Sequence, residues 1–281
     1  MITIGSTLGQ FRIQKQIGSG GMGTIYQALD TVLHRNVALK VIHDRLLSNS
    51  RCLEAFRKEA ATQAQLVHPN IVSLYAFQAV DNHFAMVLEY VDGESLRDLL
   101  RKKGPLPIVE AVNCMKQLLR GLLYAHGMNI VHLDIKPGNM IRTRRGQVKI
   151  SDFGIAAIAG LNPETSKGGY IMATPWYAAP EQLGGGPVDH RSDLYSSGVT
   201  FYEMLTGEIP FSADTWDPHN PGEWIKSIAD PEPPSKKRKN IPPGLDAFVI
   251  KSLRKKPEKR FHEAGEMLEA LDEIENNIIN A

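Results

Sequence analysis

Across 281 residues, 32 lysines and arginines stand against 31 aspartates and glutamates, and 42% of the chain is hydrophobic. The net charge of +1 excludes bulk attraction to nucleic acid or an anionic membrane, so any anionic ligand must be held locally. Cys52 and Cys114 are the only cysteines, there is no long apolar run, and MITIGSTLGQ lacks a signal-peptide pattern; these exclude a disulfide framework and membrane insertion and predict a soluble, cytoplasmic protein.

From Phe11 to Ile42 the chain reads as strands. FRIQKQI and TIYQAL flank a glycine-rich turn, and NVALKVI follows a polar connection, which predicts a small antiparallel sheet. Residues 51–67 predict a helix closed at HPN, because Pro69 cannot continue it. IVSLYAF and FAMVLEYV add two strands. After Gly93 the pattern turns helical: Ile108, Val112, Met115, Leu119 and Leu122 recur every three or four residues behind Pro107. NIVH, NMIR and QVKIS read as short strands around polar turns, with helices over 192–206 and 245–254 and a terminal one through Ala264, Met267, Leu271, Ile274 and Ile278. The stretch 217–243 is rich in proline and charge, as a surface excursion should be. Within it KKRK at 236–239 reads as a solvated loop, and Trp216 and Trp224 as packing residues. There is no internal repeat and no linker long enough to part independent domains.

Three segments carry chemistry. In GSGGMGTIY, Gly18, Gly20 and Gly23 form a G-x-G-x-x-G pattern that a chain of this composition contains by chance in roughly one case in six. Here it lies between strands, where backbone N–H groups without side chains can cover a triphosphate. Lys40 closes VALK on an apolar strand and needs a carboxylate partner, for which Glu59 on the following helix is the candidate. In HLDIKPGNM, Asp134 can accept a proton, Lys136 can neutralise a transferring phosphoryl group, and Asn139 can offer an oxygen to Mg²⁺. Asp152 of SDFG supplies a carboxylate for the same ion.

GSGGMG, VALK, HLDIKPGN, DFG and AAPE stand in the order and rough spacing of the protein-kinase signature set. The chain resembles serine/threonine protein kinases, and most of all the eukaryotic-like (Hanks-type) kinases of bacteria. The resemblance implies an α+β, bilobal fold with a small antiparallel sheet lobe, one main helix and a larger helical lobe. It implies one domain over 8–275, with the sheet lobe over about 8–90, a hinge over about 89–93, the helical lobe over about 94–275 and a tail at 276–281. It further implies a non-specific serine/threonine protein kinase using ATP and Mg²⁺, or Mn²⁺ in its place, on protein substrates, and no nucleic-acid partner; oligomeric state stays open. By similarity Asp134 is the base and Lys136 its phosphate-facing companion. Lys40 and Glu59 form the phosphate-binding pair, and Asn139 and Asp152 hold the metal. Gly18, Ser19, Gly20, Gly21 and Gly23 cover the phosphates. Ile25, Ala38, Leu88, Glu89, Val91 and Ile141 enclose adenine, and Glu94 meets the ribose. Thr174 falls where the family contacts base and substrate hydroxyl. Glu181 and Arg260 form a structural pair, and Asp193 braces the catalytic loop. The alternatives are a kinase-fold scaffold without turnover and a small-molecule phosphotransferase; the full set of polar residues argues against the first and ATPWYAAPE against the second.

Two positions depart from the pattern. Leu133 replaces the usual arginine before the base, and Ala157 stands where a second basic residue often helps. The resemblance therefore implies a kinase that does not depend on phosphorylation of Thr165, Ser166 or Tyr170, unless Arg142, Arg144 or Lys149 supplies a substitute pocket.

Overall fold

The structure is a computed structural model, described here over residues 2–153, 175–211 and 230–279. Its first lobe is a six-stranded antiparallel sheet of β1 (Thr7–Leu8), β2 (Phe11–Ser19), β3 (Gly23–Asp30), β4 (Arg35–Ile42), β5 (Leu74–Val80) and β6 (His83–Glu89), ordered β1-β2-β3-β4-β6-β5. Between β4 and β5 come a short α1 (Asp44–Leu47) and α2 (Ser50–Gln63). The alternation of strand side chains sorts β4 onto two faces. Val37, Leu39 and Val41 pack with Leu8, Phe11 and Ile13, while Ile42 joins Leu46, Phe56 and Met86 beneath α2. Lys40 belongs to the α2 side, so the strand period itself aims its ammonium at that helix.

α2 starts where Asn49 caps the N–H groups of Arg51 and Cys52. Its buried stripe, Ala55, Phe56, Glu59, Ala60 and Gln63, follows the helical period and carries one carboxylate among apolar neighbours. The helix ends at Gln63, short of the expected Val67, because Gln65 and Leu66 donate to carbonyls three residues back and tighten the chain ahead of Pro69.

The second lobe holds α3 (Leu96–Lys103), α4 (Ile108–Gly127), α5 (Pro180–Gly184), α6 (His190–Thr206), α7 (Pro243–Ser252) and α8 (Ala264–Ile279), with a small sheet of β7 (Gly93–Ser95), β8 (Met140–Thr143) and β9 (Val148–Ile150). One continuous core joins Leu118 and Leu122 of α4, Val199 and Phe201 of α6, Phe248 of α7 and Met267 of α8. Gly121 lets α4 lie against β9, since a Cβ there would stand 2.7 Å from Ile150 Cδ1. That contact seats the strand leading to Asp152.

The HPN segment ties the lobes together. Asn70 Nδ2 donates to Val148 O at 2.8 Å, Ile150 N–H donates to Asn70 O at 2.8 Å, and Val72 N–H donates to Ile150 O at 2.9 Å. The expected strand at IVSLYAF therefore begins only at Leu74, its first residues bonding to β9. NIVH forms no strand: the His132 N–H, which a ladder would use, goes to the Asp193 carboxylate. In KKRK the three lysines are exposed as expected, but Arg238 is half-buried and donates to Leu106 O and Leu205 O, closing the end of α6. Trp216 and Trp224 lie outside the described residues.

Candidate functional site

The glycine-rich turn joins β2 to β3. Gly23 is required by packing, because a Cβ there would come within 2.3 Å of Val41 O. Gly20 and Gly21 answer no such demand: a Cβ at Gly21 meets nothing within 4 Å, and at Gly20 only Gly23 O at 4.0 Å. Their missing side chains leave open space beside the backbone. Gly18 and Ser19 end β2, with Gly18 opposite Ile25.

Beneath the turn, Lys40 Nζ lies 2.6 Å from Glu59 Oε1 and 2.7 Å from Asp152 Oδ1, joining β4, α2 and the segment after β9. Burial alone would lower the lysine's pKa, but Asp152 and Glu59 raise it well above its ordinary value. Burial would likewise push the Asp152 carboxyl up, and Lys40 more than reverses this, holding it below the usual carboxylate range. Glu59 is raised, because burial and the second carboxylate outweigh Lys40; its Oε2 is buried with no hydrogen-bond partner among the described residues. The cluster is a permanent cation held between a half-buried and a fully buried acid.

The stretch 132–139 follows α4. Lys136 Nζ sits 2.8 Å from both oxygens of Asp134, and Asn139 Nδ2 donates to Asp134 O and Oδ2 at 2.9 Å. The Asn139 amide oxygen is thereby turned away from Asp134, and Ser151 N–H, donating to Asn139 O, brings Asp152 alongside. His132 is fully buried; its Nδ1 accepts from Asp134 N–H, so Nε2 carries the proton and donates to Ser151 O at 2.9 Å. Phe153 packs edge-on against that ring at 4.5 Å.

Leu133 has φ +60° and Asp152 φ +62°, a region that costs a non-glycine residue about 1–2 kcal/mol. Surrounding bonds hold Leu133 there. Asp193, fully buried on α6, accepts from His132 N–H at 2.8 Å and Leu133 N–H at 2.7 Å, and Gln182 Nε2 donates to Leu133 O at 3.0 Å. Glu181, beside Gln182, is gripped by Arg260 through two bonds of 2.7 Å. The expected roles of Asp193 and of the Glu181–Arg260 pair match this geometry.

Between the lobes runs a cleft. Ile25, Ala38, Leu88, Glu89, Val91 and Ile141 line it together with Lys40, Glu59 and Asp152. Ile17, Val72 and Met86 also line it and were not anticipated. Ile17 had a signal, an apolar residue just ahead of the glycine turn. Gln182 too was legible as a helix-start glutamine, accepting from Ala179 N–H at 2.9 Å. Glu94 is not brought to the cleft. β7 places it opposite Arg142, one residue out of step with Ile141, so it faces away and pairs with Lys102 at 2.6 Å. Of the substitute phosphate pocket, Arg142 Nη2 lies 3.3 Å from Glu110, Lys149 is paired with Glu89, and Arg144 is exposed. Ala157, Thr165, Ser166, Tyr170 and Thr174 lie outside the described residues.

Residues 11–271 match the family described as protein kinase domain. The chain is similar to a probable serine/threonine-protein kinase of Clostridium acetobutylicum (36% identical over 279 residues, 99% of this chain and 42% of that protein). It is similar also to serine/threonine-protein kinase PrkC of Bacillus subtilis (36% over 265 residues, 92% and 39%) and PknB of Mycobacterium leprae (38% over 261 residues, 89% and 40%). The chain thus spans about two fifths of the length of these curated relatives. In fold it is similar to the PknI kinase domain of Mycobacterium tuberculosis, with a TM-score of 0.76 at 24% identity over 97% of this chain and 98% of that one.

Proposed function

This chain belongs to the protein kinase domain family, and from that premise we propose that it transfers the γ-phosphoryl group of ATP to serine and threonine hydroxyls of proteins. The acting unit is the single domain over 8–275, with 276–281 as the tail of its last helix, in a cytoplasmic setting. The relatives' names support the serine/threonine assignment. Among the described residues no helix is long and apolar enough to cross a membrane. The observation that carries the reading is Lys40 bridging Glu59 and Asp152 at 2.6 and 2.7 Å beside an apolar cleft.

In this reading adenine lies among Ile25, Ala38, Leu88 and Ile141, against the hinge from Glu89 to Val91. The turn from Gly18 to Gly23 covers the phosphates, for which the open space at Gly20 and Gly21 is suited. Lys40 holds the α- and β-phosphates while Glu59 keeps its ammonium aimed. Asp152 and Asn139 present hard oxygens, the donor chemistry that Mg²⁺ or Mn²⁺ takes, and these two residues would hold the ion. Once bound, the cation offsets charge on the phosphate oxygens. Asp134 orients the substrate hydroxyl and takes its proton at a carboxylate oxygen. The hydroxyl oxygen bonds to the γ-phosphorus, the bond to the bridging oxygen breaks, and ADP leaves. Lys136, already 2.8 Å from Asp134, keeps a positive charge beside the transferring group.

The test is incubation with Mg²⁺, labelled ATP and a generic protein substrate. Wild type is expected to label serine or threonine, and Asp134→Asn to lose about 10²–10⁴-fold in turnover. A wild type that binds nucleotide without transferring phosphate favours a scaffold.

We further propose that activity does not depend on activation-segment phosphorylation. Leu133 offers no cation, and Arg142 and Lys149 already face Glu110 and Glu89. Replacing Thr165 and Ser166 together with alanine should leave turnover within about threefold; a collapse in rate would refute this.

A further inference from the structure

One ion pair beside the cleft, a buried lysine with a half-buried glutamate, has no place in the chemistry above. Lys149 on β9 is 8% exposed, and its Nζ lies 2.9 Å from Glu89 Oε2. Glu89 ends β6, where the chain enters the hinge. The same Oε2 accepts from Ser73 N–H at 3.2 Å, and Glu89 N–H returns a bond to Ser73 O at 2.9 Å.

Stability gives no reason for this pair, because apolar residues in place of a buried ion pair commonly leave a fold as stable or more so. Its position does. Ile150, Ser151 and Asp152 follow Lys149 directly, while Glu89, Tyr90 and Val91 form the opposite wall of the cleft. Main-chain bonds fasten β9 to Asn70 and Val72, and Ser73, next in the chain, accepts from Glu89 N–H, so the backbone reaches the hinge by that one bond. Lys149 adds a direct side-chain link from the strand that leads to Asp152 to the first residue of the hinge.

We propose that Lys149 is a positioning residue that grips Glu89 and fixes the spacing between the hinge and Asp152, so that one nucleotide engages both. The inference rests on the nucleotide-binding reading above. Shortening or losing the link lets the two walls shift apart, which weakens nucleotide binding and leaves Asp134 with its partners, since Lys149 contacts neither Asp134 nor Lys136.

The test measures the Kd of a fluorescent ATP analogue with Mg²⁺, together with kcat and both KM values, in the full chain. Lys149→Met is expected to raise the nucleotide Kd and the KM for ATP about tenfold, with kcat and the protein-substrate KM within about twofold. The exchanged pair, Lys149→Glu with Glu89→Lys, should bind nucleotide at least about threefold more tightly than Lys149→Met. The apolar pair, Lys149→Met with Glu89→Met, should melt no lower than wild type yet still bind nucleotide weakly. If Lys149→Met does not fold, the two paired variants carry the test, as neither leaves a buried charge alone. Nucleotide binding within twofold of wild type in Lys149→Met, or full recovery in the apolar pair, overturns the tether. A wild type that binds no nucleotide overturns the nucleotide reading instead.

Discussion

The catalytic loop at 132–139 and the glycine-rich turn at 18–23 face one cleft, yet they are held by different physics. The loop is bound to buried groups: Asp193, fully buried, takes two of its N–H groups and His126 Nε2 as well, and Gln182 takes the Leu133 carbonyl. The turn is held by Gly20 N–H to Gly23 O at 2.9 Å and by exposed contacts from His43 Nε2 to Gly20 O at 3.0 Å and Arg45 Nη2 to Gly21 O at 3.3 Å. Distances are similar, but hydrogen bonds to a charged, buried partner contribute about 1.5–3 kcal/mol and ordinary ones about 0.5–1.5. The half that must hold the base within fractions of an ångström is over-determined. The half that must admit and release nucleotide is fastened by bonds that open cheaply.

The strongest way to break that contrast is Asp193→Ala. It orphans the His132 and Leu133 N–H groups in a buried site and frees Leu133 from its left-handed backbone. We expect a loss of about 3–5 kcal/mol in urea unfolding and about 10²-fold in turnover, the latter from displacement of Asp134 alone. A loss no larger than that from removing an exposed contact would mean that burial does not set the difference.

Glu181 sharpens the same contrast one layer out, because the helix it shares with Gln182 is anchored by Arg260. Burial would raise the Glu181 carboxyl, but its bonds from Arg260 and Ser192 hold it below the ordinary 4.5. A group lowered on folding stabilises the fold above its unfolded pKa and loses that contribution as pH falls through the folded value. Glu181→Gln should therefore cost about 2 kcal/mol at pH 7, with the gap to wild type closing below pH 4.5 in denaturation series. A gap that stays constant with pH would show that the charge of Glu181 is not what anchors α5.

The chemistry of the cleft was legible where it is local. The strand period put Lys40 on the α2 side, and the helical period put Glu59 on the buried stripe that meets it. What escaped is long-range or depends on which face a residue shows. NIVH has the apolar pattern of a strand, but its N–H partner is Asp193, about sixty residues further on. Glu94 lay close to the hinge in sequence, and only the pairing with Arg142 shows that it faces away from the cleft. Lys149 and Arg238 read as free basic residues until Glu89 and the carbonyl of Leu205 are seen to occupy them.

The smallest effect is expected at the turn. His43→Ala with Arg45→Ala removes both side-chain contacts to the Gly20 and Gly21 carbonyls and leaves the backbone bond from His43 N–H to Met22 O at 2.9 Å. Met22 still packs against the cluster of Ile42, Leu46 and Phe56, so the root of the turn keeps its anchor. Only the tip is freed. Stability should change by less than about 0.5 kcal/mol, and the KM for ATP by less than about threefold, because the lost bonds are exposed and water replaces them. Nucleotide release, followed by stopped-flow displacement, should be faster by a similar factor, since the freed tip opens more readily. A tenfold weakening of ATP binding would instead show that the tip is positioned as strictly as the catalytic loop, and the division between a fixed half and an opening half would fall.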